Sequence, residues 1–515
     1  MAPTLPDLTA PIWWAALLTL CGILLLPFCL VDVPPLLDYP NHLARLFLLT
    51  HGATDENLTR FYVTHWAIIP DLGIDLAGQI LLPWVPVHVA GRIIAGTVLL
   101  LPVLGTLAYG RAALGRRSGW MLGGALVAYH QTFLQGFLNF NAGMGLALIL
   151  AAVWLRWRDM APQRVILATT VGVVGLFFCH LMGVIFFALL IGAHELAWAW
   201  MVRAHGWRGI ARRFIVSAVP FIGVLVLYGF SPLSGEAEQL RYPTVADKLA
   251  RITAPWVNYD FWLDAVTASL CLAIIVGLMW RERATISLRS GLTLGFVGMF
   301  YIVSPAEFAG VANVDLRFVI LFGFLLFCIW APASVPLWVA TSMGGLFLLR
   351  MALLGALWHG HGSVLADIRQ VISEVPLGSR VLSIVQPTAE LAARRLSNGI
   401  QTDTHIPALL VVERRSWWPY LFDNVSQQPI ATRSPYHELA LRVERIKIPL
   451  DICDLTDIDF LFLLGKPAGM PDNLERVAVS NAAALYRVHH ASACVEQIEG
   501  MPISWGNGKL SQVRR

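Results

Sequence analysis

Eleven stretches of this chain are apolar over a length that can span a bilayer, which takes about 20 residues. They are Pro11 to Val31 and segments near 88–110, 118–135, 138–155, 163–180, 181–202, 214–230, 264–280, 290–305, 316–331 and 333–357. A chain so built folds as a polytopic α-helical membrane protein of about 11 spans. Composition agrees: only 14% of residues are charged, against roughly 25% in a soluble globular domain. Disorder, collagen and a disulfide scaffold are excluded, because 11% of the chain is aromatic and 7 cysteines in 515 residues are sparse.

Basic residues orient the spans. Of 37 Lys and Arg only Lys248, Lys447, Lys466 and Lys509 are lysine, so orientation rests on arginine. Clusters at Arg111, Arg116 and Arg117, at Arg156, Arg158 and Arg164, at Arg203, Arg208, Arg212 and Arg213, and at Arg281, Arg283 and Arg289 fall on one side, which the positive-inside bias makes cytoplasmic. The first span has neither a charged n-region nor a small-x-small cleavage site and is expected to be retained. Residues 1–358 then form a transmembrane domain. Within it, 32–87 is a first extracytoplasmic loop with interfacial helices. From about 359 the charges rise and short apolar runs appear at Arg380–Val385, Ile458–Leu464 and Ala483–Val488, which predicts an extracytoplasmic α/β domain over 359–515. Its two cysteines, Cys453 and Cys494, are either one disulfide or two buried thiols. A preference for Arg over Lys fits a bacterial inner membrane.

No GxxxxGK[ST] loop, HExxH, CxxC or internal repeat occurs, and no basic block points to nucleic acid. The informative segment is Val33-Pro-Pro-Leu-Leu-Asp38-Tyr-Pro-Asn41-His42-Leu-Ala-Arg45. Pro34-Pro35 stops the first span, and an amphipathic helix restarts at Asn41 to His51. Asp38 precedes that helix, and His42 and Arg45 share one face of it. Asp71 and Asp75 follow in the same loop. Arg317, in Asn313-Val-Asp315-Leu-Arg317, sits at the mouth of a span beside Asp315, and His180 occupies a turn between two spans. Trp256 and Tyr259 in the second large loop, and Trp417-Trp418-Pro419-Tyr420 near the C-terminus, are rings able to stack on a sugar or to serve as interfacial belt and docking surface.

With its embedded first helix, an acid directly after it in a long outside loop, about a dozen spans and a C-terminal outside domain, the chain resembles the GT-C class of glycosyltransferases. The resemblance implies a polyprenyl-phosphate sugar donor, a membrane-lipid partner, and Asp38 acting as general base or on a divalent metal such as Mg²⁺ or Mn²⁺. The family's frequent pair of adjacent acids is absent, since Tyr39 follows Asp38. Bottom-up chemistry fits this class: an acceptor hydroxyl needs a base, and a departing phosphate needs cations. Arg317 and then Arg45 are the candidates, because guanidinium binds phosphate bidentately. His42, His180 and Asp315 are supporting residues, and Asp71, Asp75, Trp256 and Tyr259 are acceptor-side candidates. A lipid or solute transporter, or a non-catalytic scaffold, is the alternative. A transporter predicts broken mid-membrane helices and symmetry between halves, which the sequence does not display.

Overall fold

The computed structural model describes residues 4–5, 9–203, 206–235, 240–308, 310–386, 394–444, 455, 457–465 and 474–489. Cys453 and Cys494 lie outside the described residues. Among those described, eight helices are long and apolar enough to cross a membrane: Ala10–Cys29, Val87–Leu114, Leu138–Trp157, Pro162–Cys179, Leu181–Val202, Trp207–Phe230, Phe261–Arg281 and Leu337–Ser373. Leu288–Val303 is a shorter apolar helix of 16 residues.

Two expected spans come out differently. Segment 118–135 is not one helix: a 3₁₀ stretch, Gly119–Val127, gives way to the single turn Gln131–Leu134. Gly119, Gly123 and Gly124 weaken helix propagation, and the His130 ring accepts the Phe133 amide, starting a new turn. Segment 316–331 contains the helix Val314–Leu325, whose 12 residues reach about 18 Å at 1.5 Å per residue. The last span runs on to Ser373, so the expected boundary near 358 falls inside a continuous helix.

Packing divides the chain into two units, Met1–Pro27 with Ala67–Ile74 and Ile94–Gly355, and Phe28–Trp66 with Asp75–Ile93 and Ala356–Arg515. In the first, Trp13, Leu17, Leu107 and Met121 form one buried cluster. The small residues of 139–145 allow close helix approach: a Cβ at Gly145 would lie 2.4 Å from the Leu101 carbonyl carbon, and one at Gly183 would lie 2.9 Å from the Gly143 oxygen. A buried pair, Arg350 with Asp264 at 2.8 Å, joins Phe261–Arg281 to the long last helix.

The second unit holds a mixed four-stranded sheet in the order Leu474–Val479, Ala483–Val488, Phe460–Leu464, Val381–Val385, with the last pair parallel. Three strands coincide with the apolar runs read from the sequence. Val381–Val385 and Phe460–Leu464 are buried along their whole length, which accounts for their unbroken rather than alternating hydrophobicity. This unit also takes in most of the first loop. Tyr62–Thr64 pairs antiparallel with Ile430–Thr432. Trp417 and Trp418 are core, not docking surface, at 0% and 1% exposure; the Trp418 amide donates to the Tyr62 hydroxyl and its indole N–H to Ser383 Oγ.

Candidate functional site

In the second unit the helix expected at Asn41 to His51 runs from Tyr39 to His51, with Pro40 in its first turn. Asp38 occupies the position before that helix, where an Asp side chain ordinarily accepts a first-turn amide. It makes no such bond. Its Oδ1 stands instead 3.0 Å from His405 Nδ1, and the His405 ring meets Trp418 and Phe422 edge-on at 6.4 and 5.4 Å. The imidazole is the more deeply buried of the two, with 2% of its side chain exposed against 12% for Asp38. The carboxylate is therefore the more exposed member and the imidazole lies behind it. Asn41, one turn on, accepts the Phe422 amide and so ties the same helix to the segment bearing the aromatic wall.

Arg45 does not stand as an open cation. Its Nε donates to Asp75 Oδ1 at 2.7 Å, its Nη1 donates to Gln428, and 1% of it is exposed. Burial pushes the Asp75 carboxyl up even with this guanidinium beside it. His42, on the adjoining turn, is half-buried. A second charged group surrounds Asp32, which takes a 2.8 Å bond from Arg369 and lies 3.6 Å from His88. Burial raises the Asp32 carboxyl, but the Arg369 hydrogen bond and the His88, Arg369 and Arg92 charges outweigh it and hold it low. Glu413, also bonded to Arg369 at 2.7 Å, is pushed up by burial. Further on, buried Asp403 binds Arg394 at 2.6 Å and lies 3.6 Å from His361.

In the first unit Arg317 and His180 meet, Nη1 to Nε2, at 2.9 Å. The guanidinium lies over Phe137 and Phe140, 5.6 and 5.3 Å from the ring centres, and His180 Nε2 is 4.0 Å from Asp71 Oδ1. Asn139 fixes the loop that carries Asp71: its Nδ2 donates to the Asp71 carbonyl at 2.5 Å and its Oδ1 accepts the Ile74 amide at 2.8 Å. Asp71 and Asp75, four apart in sequence, thus belong to different units. Asp315 is bound by Arg251 at 2.5 Å and Lys248 at 3.4 Å, and so is committed to neighbours other than Arg317. Trp256 is 3% exposed and its carbonyl accepts Arg350. Tyr259 is half-buried.

Among the described residues no group of three or more His, Cys, Asp or Glu is placed to hold a metal ion. Asp38 and His405 supply two donors, too few for a resident divalent site of the protein alone. His405, Asp403 and His361 were not among the residues singled out by sequence. Nothing local distinguishes a lone His in Asp403-Thr-His405, whose partner lies 367 positions earlier.

No protein-family model and no curated protein sequence matches this chain. Solved structures do. ArnT from Cupriavidus metallidurans in the apo state aligns with a TM-score of 0.54 at 12% identity, over 94% of this chain and 99% of that one. The same protein bound to undecaprenyl phosphate aligns with a TM-score of 0.52 at 11% identity, over 93% and 98%. With nearly the whole length of both chains aligned at such low identity, the likeness is one of fold: the chain shares the fold of ArnT.

Proposed function

We propose that the protein is an integral membrane glycosyltransferase that moves a sugar from a polyprenyl-phosphate donor to an extracytoplasmic acceptor. The observation carrying this reading is Asp38: a carboxylate at a helix start that leaves its own helix uncapped and faces a histidine at 3.0 Å. The solved ArnT with undecaprenyl phosphate supports a lipid-phosphate ligand for this fold.

In the proposed reaction Asp38 takes the proton of the acceptor hydroxyl as that oxygen bonds to the sugar's anomeric carbon. The bond from that carbon to the phosphate oxygen breaks, and polyprenyl phosphate leaves. Phosphate is a leaving group of low basicity, so no general acid is required. Arg317 is assigned to its charge, a guanidinium being suited to a phosphate's paired oxygens. Arg45, already neutralised by Asp75, positions the Asp38 helix by tying its second turn to Asp75 and Gln428. His405 holds the Asp38 carboxylate in one orientation. The C-terminal unit is assigned to the outside of a bacterial inner membrane, where the donor's head group and the acceptor meet.

The test is transfer by membranes containing the protein, supplied in turn with polyprenyl-phosphate sugars labelled in the sugar. Label should pass to a polar acceptor with release of polyprenyl phosphate, and should not do so in membranes carrying Asp38→Asn. No transfer from any lipid-phosphate donor would remove the reading.

A further inference from the structure

His180 has a hydrogen-bond conflict that identifies what it lacks. Its ring Nδ1 accepts the Met182 amide at 3.0 Å and caps the helix Leu181–Val202. A ring nitrogen that accepts carries no proton, so the proton of the neutral imidazole resides on Nε2. That Nε2 is 2.9 Å from Arg317 Nη1, and guanidinium has donors only. Two N–H groups therefore face one another and neither can accept. The other tautomer moves the conflict to Met182, and a protonated ring has it on both sides.

An oxyanion seated to one side of the pair, within hydrogen-bond reach of both nitrogens, removes the conflict by accepting from both. Two further observations favour an anion here, and a third names its competitor. Arg317 is only 6% exposed and its Nε has no acceptor among the described residues. The site adjoins the first turn of a 22-residue helix, whose partial positive charge attracts anions. Asp71 supplies a carboxylate 4.0 Å from Nε2, on a residue held at φ 93°, in the left-handed region that Asp and Asn tolerate best among side-chain-bearing residues.

We infer that His180 Nε2–H and Arg317 form a two-pronged site for a phosphate monoester, with Asp71 as the resident counter-charge that the phosphate displaces. The inference rests on the assignment of Arg317 to the donor phosphate and deepens it by naming a second donor and a competitor. It gives Asp71 a role opposite to that of a ligand-binding acid: removing its charge strengthens binding.

The test uses the full-length protein in detergent and measures affinity for farnesyl phosphate, inorganic phosphate and farnesol, without turnover. His180→Asn keeps an oxygen that can accept the Met182 amide but loses Nε2–H; it and Arg317→Ala should each weaken farnesyl phosphate about tenfold or more. Asp71→Asn, which retains tolerance of the left-handed backbone, should bind several-fold more tightly. Farnesol should not bind measurably, and inorganic phosphate should bind more weakly than farnesyl phosphate. Equal affinity for inorganic phosphate overturns the lipid origin of the ligand. Weaker or unchanged binding in Asp71→Asn, or unchanged binding in His180→Asn, overturns the site itself. Because binding is read without turnover, an intact phosphate response alongside absent sugar transfer would count against the glycosyltransferase reading and not against this one.

Discussion

Replacing Asp38 by Asn separates a catalytic carboxylate from a structural one, because the structure gives the two roles different magnitudes. Asn caps a helix as well as Asp does, and the Asp38 side chain makes no cap bond, so the substitution incurs no capping cost. The amide keeps the size of the carboxylate and can still present an oxygen toward His405 at the 3.0 Å approach. Thermal unfolding in detergent should therefore shift by no more than about 2 °C, at roughly 2–4 °C per kcal/mol. Turnover behaves differently. An amide cannot take a proton from an acceptor hydroxyl, and losing a positioned general base typically costs about 10²–10⁴-fold. The assay is label transfer from a lipid-phosphate sugar at saturating donor, beside an unfolding scan of the same preparation. Full activity in Asp38→Asn, or a melting temperature lowered by more than about 4 °C, refutes the reasoning.

Three further outcomes are expected. Reporters fused after Arg117 and after Arg213 should read cytoplasmic and one after Gly362 extracytoplasmic; a cytoplasmic signal at the last site would place the Asp38 unit on the wrong side for an outside acceptor. Arg45→Ala leaves Asp75, which is 0% exposed, without its counter-charge and should destabilise the protein by about 3 kcal/mol, with partial recovery when Asp75→Leu is added; equal melting of Arg45→Ala and the parent would show the pair to be dispensable. Because Asp32 has a lowered carboxyl, its contribution is fully present above the ordinary Asp value near 3.9 and is lost as pH falls through the lower folded value. The stability gap between the parent and Asp32→Asn should accordingly close on acidification below about pH 4, as read by unfolding scans across pH, and a gap that widens there would reverse the sign.

Sequence reading reached those features whose causes are local. The proline pair, the amphipathic restart and the acid between them are contiguous, so Asp38 stood out. Three strands of the C-terminal sheet were visible because buried strands read as short apolar runs. What escaped depends on pairing across the chain. His405 meets Asp38 from 367 positions away, and Gln428 reaches Arg45 from 383 positions away; no periodicity encodes either. Trp417 and Trp418 read as surface aromatics because what buries them is remote in sequence: the Trp418 indole N–H donates to Ser383, 35 positions earlier. Segment 118–135 was apolar enough for a span, yet hydropathy does not register that its glycines and the His130 cap divide it. Asp315 was grouped with Arg317 by proximity in sequence, whereas Arg251 and Lys248 reach its carboxylate.

The uncapped start of the Tyr39–His51 helix implies an exchange of stability for activity that can be run in reverse. Position 38 has αR backbone, φ −90° and ψ −4°; with that backbone turned to the β region a cap requires, Asp38→Ser would satisfy a first-turn amide, a gain of about 1 kcal/mol over a side chain that makes no cap bond. Such a variant would be a more durable and inactive protein. Selection for heat resistance alone, with no demand on transfer, should therefore draw substitutions to this position, whereas selection for function should hold it acidic at the expense of its own helix.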